Sequence, residues 1–420
     1  MIQRSIKKPL LLIFPFNVLA HYLRCLKLAN HLQPYFEIRF LQSAKYCSFI
    51  NAGGYETFDC NTFDADNVQA CIRKFDFSWL NKNDLEKIYL NQLAVIEEMR
   101  PLVILGDTMP TLKMATEKTG VKYISLLNGY ISRHHADVHQ MPASHPFYKY
   151  CKLLPSRVLD FLVEKGEQMS FKEIHQPFRE LRNKYKLSGK HSYEDEMEGD
   201  INLLCDLPEL FPQKILPAGY YHIPPLFYEE AEAKDDVAEK LDKSKKTLFA
   251  SMGSTGDWSK VSFLNHSYFE RYNIITAGDT THVVNTPNVI NRSFVNIHSL
   301  FPFVDLVICH GGNGTVYQAL LFSIPLLCKT AHFEQQWNVH KLETLQLGKS
   351  LDAIDAMEDY VMIVEQWIGR KKSNNFGLIE NQIRKAISSF PLIIDEIMKN
   401  EFYEKQGIPT HSIEETKQIA

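Results

Sequence analysis

The feature that most restricts this chain is a rhythm: short apolar runs alternate with amphipathic stretches, and the alternation occurs twice. Leu10 to Phe14, Phe36 to Leu41, Leu102 to Leu105 and Lys122 to Leu127 read as strands. Between them His21 to Leu32, Lys87 to Met99 and Thr111 to Lys118 carry helical periodicity. Such alternation builds a parallel, doubly wound sheet. After the charged stretch Glu229 to Lys246 it restarts, with strands expected at Thr247 to Ala250, Tyr272 to Thr276, Val289 to Asn291, Leu306 to Cys309 and Pro325 to Cys328. A chain of 420 residues is too long for one core and suits two such domains. The expected divisions are an amino-terminal domain over 1–228, a linker with a short helix over 229–246, a second domain over 247–385, and a helical segment over 386–420 that packs back on the first domain. Residues 131 to 200 break the rhythm and read as a long insertion over a site.

Several function classes drop out. A net charge of −4 is not the basic footprint of a nucleic-acid binder. The eight cysteines form no C-x-x-C pair, which points to a reducing compartment and no structural zinc. Arg4, Lys7 and Lys8 before Pro9 to Phe16 resemble the start of a signal peptide, but a helical pattern follows that needs a strand to pack on, so the run reads as a buried first strand. No segment reaches the ~20 apolar residues of a membrane span. Cytoplasmic residence is expected.

Leu306 to Cys309 feeds His310-Gly311-Gly312-Asn313-Gly314-Thr315 and then a helix. In parallel sheets, ligands bind beyond the carboxyl ends of the strands. Glycines let backbone N–H groups approach an anion, and the helix dipole favours negative charge there. The turn therefore suits a phosphate, with His310 as a further donor and Gln318 one helical turn along. It lacks the last glycine of a dinucleotide fingerprint and the Gly-Lys-Ser/Thr of a Walker loop. A plain strand-to-helix corner is the competing reading. Glu334 and Gln335 follow the next strand on the same edge, and a carboxylate with an amide can bond adjacent sugar hydroxyls.

The motif His310-Gly311-Gly312-Asn313-Gly314-Thr315, with Ser323-Ile324-Pro325, Glu334-Gln335 and Asn338, resembles the donor-binding signature of the UDP-glycosyltransferase family. That family includes macrolide, sterol and plant natural-product enzymes of the GT-B fold: two Rossmann-like doubly wound α/β domains facing across a cleft. Phe14–Leu32, Arg100–Gly120 and Leu248–Gly256 resemble its other segments. The resemblance implies an inverting, metal-independent hexosyltransferase that uses a nucleotide sugar, UDP-sugar favoured over dTDP-sugar, and requires no other cofactor. It places His21 as the catalytic base and Asp107 as the acid that orients it. It assigns the diphosphate to Ser254, His310, Gly312, Asn313, Gly314 and Thr315, the ribose and base to Gln318, Phe294 and Ile297, and the sugar to Glu334 and Gln335.

The chain departs from the family pattern in three places, one of them Gln318, which replaces the usual Glu that binds ribose. Asn17-Val18-Leu19-Ala20 replaces a glycine-rich first loop, and Phe294-Val295-Asn296-Ile297 replaces Trp-x-Pro-Gln. An acceptor that is a small apolar molecule or a lipid is expected from the aromatic content between 60 and 180, with Asn128, His134 and His135 in the acceptor region and peripheral membrane contact. His135 and His139 have metal-ligand spacing but no H-E-x-x-H motif, and Asp64-Ala65-Asp66 reads as a loop rather than a metal-binding D-x-D. The competing readings are a nucleotide-sugar epimerase-like enzyme of the same fold, or an inactive nucleotide-sugar-binding homologue acting as a partner subunit.

Overall fold

The computed structural model describes residues 8–141, 145, 147–151, 153–227, 236–254, 256–278, 283–370 and 374–403. Thr255, residues 229–235 of the charged linker, and 404–420 of the expected last segment lie outside the described residues. Two all-parallel sheets form the frame. The first has seven strands: β1 (Leu10–Pro15), β2 (Glu37–Leu41), β3 (Glu56–Phe58), β4 (Val103–Asp107), β5 (Lys122–Leu127), β6 (Ile201–Leu204) and β7 (Tyr220–His222), in the order β3-β2-β1-β4-β5-β6-β7. The second has six: β8 (Thr247–Ser251), β9 (Asn273–Ala277), β10 (Val289–Arg292), β11 (Leu306–Cys309), β12 (Leu326–Cys328) and β13 (Gly348–Ser350), in the order β10-β9-β8-β11-β12-β13.

Both orders reverse direction once, between β1 and β4 in the first sheet and between β8 and β11 in the second. At such a reversal the connections leave on opposite faces and open a crevice at the strand ends. Pro15 is registered against Asp107, and Ser251 against Cys309. The residues that follow β1, β4, β8 and β11 are therefore gathered at two crevices by topology alone. Leu10–Pro15, the run with a signal-like flank, is a central strand whose residues after Leu10 are all buried.

The first helix, Leu19–Leu32, buries Tyr22, Cys25, Leu26, Ala29 and Leu32 against the sheet at helical spacing. The final helix, Asn374–Met398, serves both halves. Phe376, Ile379 and Ile383 enter the core of the second sheet, while Phe390, Ile394, Ile397 and Met398 enter the core of the first. Tyr130, Leu207, Leu210, Phe211 and Phe227 from the first half also share the second core, so apolar packing joins the two lobes. The insertion after β5 is helical, with its longest element at Ser156–Ile174. No described helix is long and apolar enough to cross a membrane.

Candidate active site

A cavity of about 1140 Å³ lies between the lobes, and both crevices open into it. On the first lobe, His21 sits in the first turn of its helix and is about one fifth exposed. Its Nδ1 lies 2.8 Å from Oδ1 of the fully buried Asp107, the last residue of β4. Arg24 NH2, a donor, lies 3.2 Å from the same Nδ1; the shorter contact is to the carboxylate, which accepts only, and a proton on Nδ1 facing it leaves Nε2 its lone pair. Thr108, at a φ of 52° that is uncommon for a β-branched residue, places its hydroxyl 3.0 Å from Asp107 Oδ1, to which it donates, and 3.1 Å from His21 Nδ1.

Arg24 is the residue that sequence reasoning missed. It lies one turn along the helix from His21, and both its Nε and its terminal NH2 group donate to Asp107, Nε at 2.5 Å. Burial alone would raise the Asp107 pKa, but the Arg24 guanidinium, with His21, holds it well below the ordinary carboxylate range. The available signal was a charged residue inside the apolar stretch Tyr22 to Leu28 on a helix that must bury that face.

On the second lobe, the glycine turn caps the helix Asn313–Leu321 with Gly312 as the residue before its first turn. The glycines do more than expose amides. A Cβ on Gly312 would stand 2.4 Å from Nε2 of His310, and one on Gly253 2.6 Å from its Cε1, so the imidazole is held between two glycine backbones. Gly311 has a left-handed φ of 85°, and its Cβ would meet Val339 at 2.7 Å. Gly314 differs: a Cβ there meets nothing within 4 Å. His310 is buried, and burial lowers its pKa to about 4, so it is neutral at pH 7. His332, at the head of the helix Phe333–Thr344, is lowered to about 3 by burial and then by His310.

Ser254, Thr315, Gln318, Ile297 and Phe294 line the cavity beside this turn, and Phe294 is 43% exposed there. Glu334 accepts a hydrogen bond from Tyr130 of the opposite lobe at 3.2 Å, and burial raises its pKa. Gln335 lines the cavity while its Oε1 accepts from the Ala331 N–H at 2.7 Å. Asn338 pins the turn, donating to Gly311 O at 3.0 Å and Asn313 Oδ1 at 2.6 Å.

Of the three residues expected on the acceptor side, Asn128 and His135 line the cavity. Asn128 is buried and committed: its Oδ1 accepts from Arg24 at 2.7 Å and its Nδ2 donates to Asp206 at 3.2 Å. His134 does not line the cavity; its ring packs edge-on to Tyr220. His135 does line it, but in a ladder: it stacks on His139, whose ring stacks on Trp337 of the other lobe at 3.9 Å. Burial, with His139 beside it, lowers the His135 pKa to about 4. Among the described residues no cluster could hold a metal ion. Asp64 caps a helix through the N–H groups of Asp66 and Asn67. The first-lobe side of the cavity also carries Phe16, Ile72, Phe75, Trp79, Leu162 and Phe171, with Gln69, Glu164 and Gln168 among them. All eight cysteines are free.

No family model matches the chain. It is 23% identical over 336 residues, 79% of this chain and 77% of the other, to a protein of Mycobacterium tuberculosis named as a PGL/p-HBAD biosynthesis glycosyltransferase. It is 22% identical over 348 residues, 81% of this chain and 76% of the other, to a PGL/p-HBAD biosynthesis rhamnosyltransferase of Mycobacterium bovis. Among solved structures, the spinosyn rhamnosyltransferase SpnG superposes with a TM-score of 0.66 at 16% identity, over 93% of this chain and all of that one. The fold is GT-B, as the sequence resemblance implied. With the relatives, it defines the class: this chain is a glycosyltransferase of that fold.

Proposed function

We propose that the protein transfers a hexose or deoxyhexose, with inversion and without a metal ion, from a nucleotide diphosphate sugar to a hydroxyl of an apolar, lipid-like acceptor. The observation that carries this is that His21, paired with the buried Asp107, lines the same cavity as the glycine turn, each group at the reversal point of its own sheet.

His21 Nε2 takes the proton of the acceptor hydroxyl as that oxygen attacks the anomeric carbon. The bond from that carbon to the diphosphate breaks, and its electron pair leaves with the phosphate oxygen. A single displacement inverts the anomeric configuration. Asp107 fixes the tautomer of His21 and stabilises the imidazolium that forms. The amides of Gly312 to Thr315, Ser254 and neutral His310 receive the charge growing on the leaving group. That supplies the electrostatic role a cation plays elsewhere, which is the basis for assigning no metal. Phe294, with Ile297 and Gln318, forms the nucleoside end, and Glu334 with Gln335 faces the sugar. UDP is the favoured nucleotide, with dTDP the alternative. The rhamnosyltransferase relative favours a deoxyhexose.

The apolar lining supports a lipid-like acceptor. So does an exposed run at the cavity mouth: Phe147 lines the cavity, and Tyr150, Leu153 and Phe161 stand largely in solvent. Lys149 and Arg157 bracket Tyr150 and Leu153 with no acidic residue between the two, which complements an anionic bilayer and suits peripheral contact from the cytoplasmic side; Asp160 stands beside Phe161.

The test is transfer of radiolabel from UDP- and dTDP-sugars to a panel of lipid-linked and phenolic acceptors in EDTA, with the anomeric configuration of the product read by NMR. Labelled product of inverted configuration is expected. Label that is merely isomerised on the nucleotide supports the epimerase reading; binding without turnover supports an inactive subunit.

A further inference from the structure

The first and second lobes are joined by more than apolar packing. Beginning at His21 Nδ1, the contact to Asp107 is 2.8 Å, Arg24 Nε donates to Asp107 at 2.5 Å, and Arg24 NH1 donates to Asn128 Oδ1 at 2.7 Å. Asn128 Nδ2 donates to Asp206 Oδ2 at 3.2 Å. The carboxylate then crosses the cleft: Asn313 Nδ2 donates to Asp206 Oδ1 at 3.0 Å. Asn338 completes the path by donating to Asn313 Oδ1 and to Gly311 O. Arg24, Asp107, Asn128, Asp206 and Asn338 are all buried. One unbroken polar chain thus runs from the base on one lobe to the glycine turn on the other.

We infer that Asp206 and Asn313 are positioning residues, linking occupancy of the glycine turn to the orientation of the His21–Asp107 pair. This rests on the glycosyltransferase reading. Asp206 follows β6, and Asn313 opens the helix whose amides face the donor, so the two side chains meet where the lobes meet. Both carboxylate oxygens are engaged, Oδ2 also by the Gly129 N–H at 2.7 Å. Apart from Asn338 Oδ1, the buried side-chain polar atoms of this path are engaged, and such a network has few alternative arrangements, so a displacement at one end is passed to the other rather than absorbed. Simple adhesion would not need this path, because the shared apolar core and the Leu207 N–H to Tyr317 hydroxyl bond already hold the lobes together.

Three variants test it: Asn313→Ala, which keeps every backbone amide of the turn; Asp206→Asn; and the exchanged pair Asp206→Asn with Asn313→Asp, which restores a donor facing an acceptor. Binding of UDP, or of dTDP where UDP does not bind, is measured by calorimetry, and turnover at saturating substrates is normalised to folded protein. The imidazole resonance of His21 is followed in histidine-labelled protein. Each single variant is expected to lose at least tenfold in kcat, Asp206→Asn with nucleotide Kd changed less than threefold, and the exchanged pair to recover at least threefold over Asp206→Asn. The His21 resonance is expected to move on nucleotide addition in the parent and to stay still in Asn313→Ala. If Asp206→Asn fails to fold, Asn313→Ala decides by turnover and resonance. Turnover within twofold of the parent, or a His21 response that survives Asn313→Ala, overturns the inference alone. A parent that binds neither nucleotide overturns the glycosyltransferase reading and this inference together.

Discussion

Nδ1 of His21 and Oδ1 of Asp107 stand 2.8 Å apart although they come from different elements, a helix after β1 and the end of β4, brought together because Pro15 and Asp107 are neighbours in the sheet. The contact leaves Nε2 as the only basic atom of the imidazole. His21→Ala should therefore lower kcat by about 10²–10⁴-fold, the usual share of a general base. Nucleotide affinity should stay near the parent value, because the glycine turn lies on the other lobe. Steady-state kinetics beside calorimetric titration with UDP check both halves, and undiminished turnover would remove His21 from the mechanism.

Arg24 and Asp107 form a buried pair in which each charge depends on the other. Replacing Arg24 with Met keeps much of the volume and strands the carboxylate. Breaking such a pair costs about 3–5 kcal/mol. Urea unfolding at pH 7 should show a loss of that size for Arg24→Met, and the loss should shrink in acid as Asp107 takes up a proton. A variant as stable as the parent would mean that Asp107 is not charged in the fold.

Much of the frame was legible in the sequence because central strands are continuous apolar runs, and Leu11–Phe14, Val103–Leu105 and Leu306–Cys309 are buried on both faces. The edge strands Glu56–Phe58, Tyr220–His222 and Gly348–Ser350 were not. Each has three residues and mixes polar with apolar, so no period can form. The site divides in the same way. The glycine turn is local and announces itself by composition. The pairing of His21 with Asp107 came through family resemblance, since nothing in spacing brings them together. The chain through Arg24, Asn128 and Asp206 depends on three separate strand ends and the opposite lobe, and leaves no local pattern. Asn128 shows the consequence: its place at a strand end beside the cavity was legible, and its bonds to Arg24 and Asp206 were not.

The glycines of the turn should separate into two kinds. At Gly312 a methyl group collides with the His310 ring. Gly312→Ala should therefore displace the imidazole, lower the melting temperature and weaken nucleotide binding together. Gly314→Ala should fold at least as well as the parent, since the site is open and Ala is a better helix former than Gly by about 1 kcal/mol. Its methyl would occupy the space where the diphosphate approaches the helix end, so nucleotide affinity should fall without loss of stability. Thermal melts and UDP titrations of both variants check the contrast; equal behaviour would mean that the turn is only a structural corner.

The same burial makes acid stability predictable. The His310 pKa is lowered from its ordinary 6.5 to about 4 in the fold. Below pH 6.5 the unfolded chain binds a proton that the folded protein refuses, so the folded state loses stability as pH falls, and the loss is complete near pH 4. The difference corresponds to about 3 kcal/mol, an order-of-magnitude figure. His310→Asn should be less stable at pH 7.5 but should flatten the decline between pH 6.5 and 4. Urea midpoints across that window test the slope, and an unchanged slope in the variant would assign the acid sensitivity to other groups.

Contact with a lipid surface can be separated from catalysis, because Leu153 is 83% exposed and does not line the cavity. Moving a leucine side chain from water into the acyl boundary is worth about 1.5–3 kcal/mol. Leu153→Glu both removes that gain and sets a negative charge against an anionic headgroup. Co-sedimentation with vesicles of phosphatidylcholine and phosphatidylglycerol should weaken by about tenfold or more, since each 1.4 kcal/mol is a factor of ten. Turnover of a water-soluble acceptor should be unaffected, while turnover of an acceptor embedded in the vesicle should fall with binding. Salt should weaken the parent's binding through Lys149 and Arg157. Equal sedimentation of parent and variant would show that the exposed run meets something other than a bilayer.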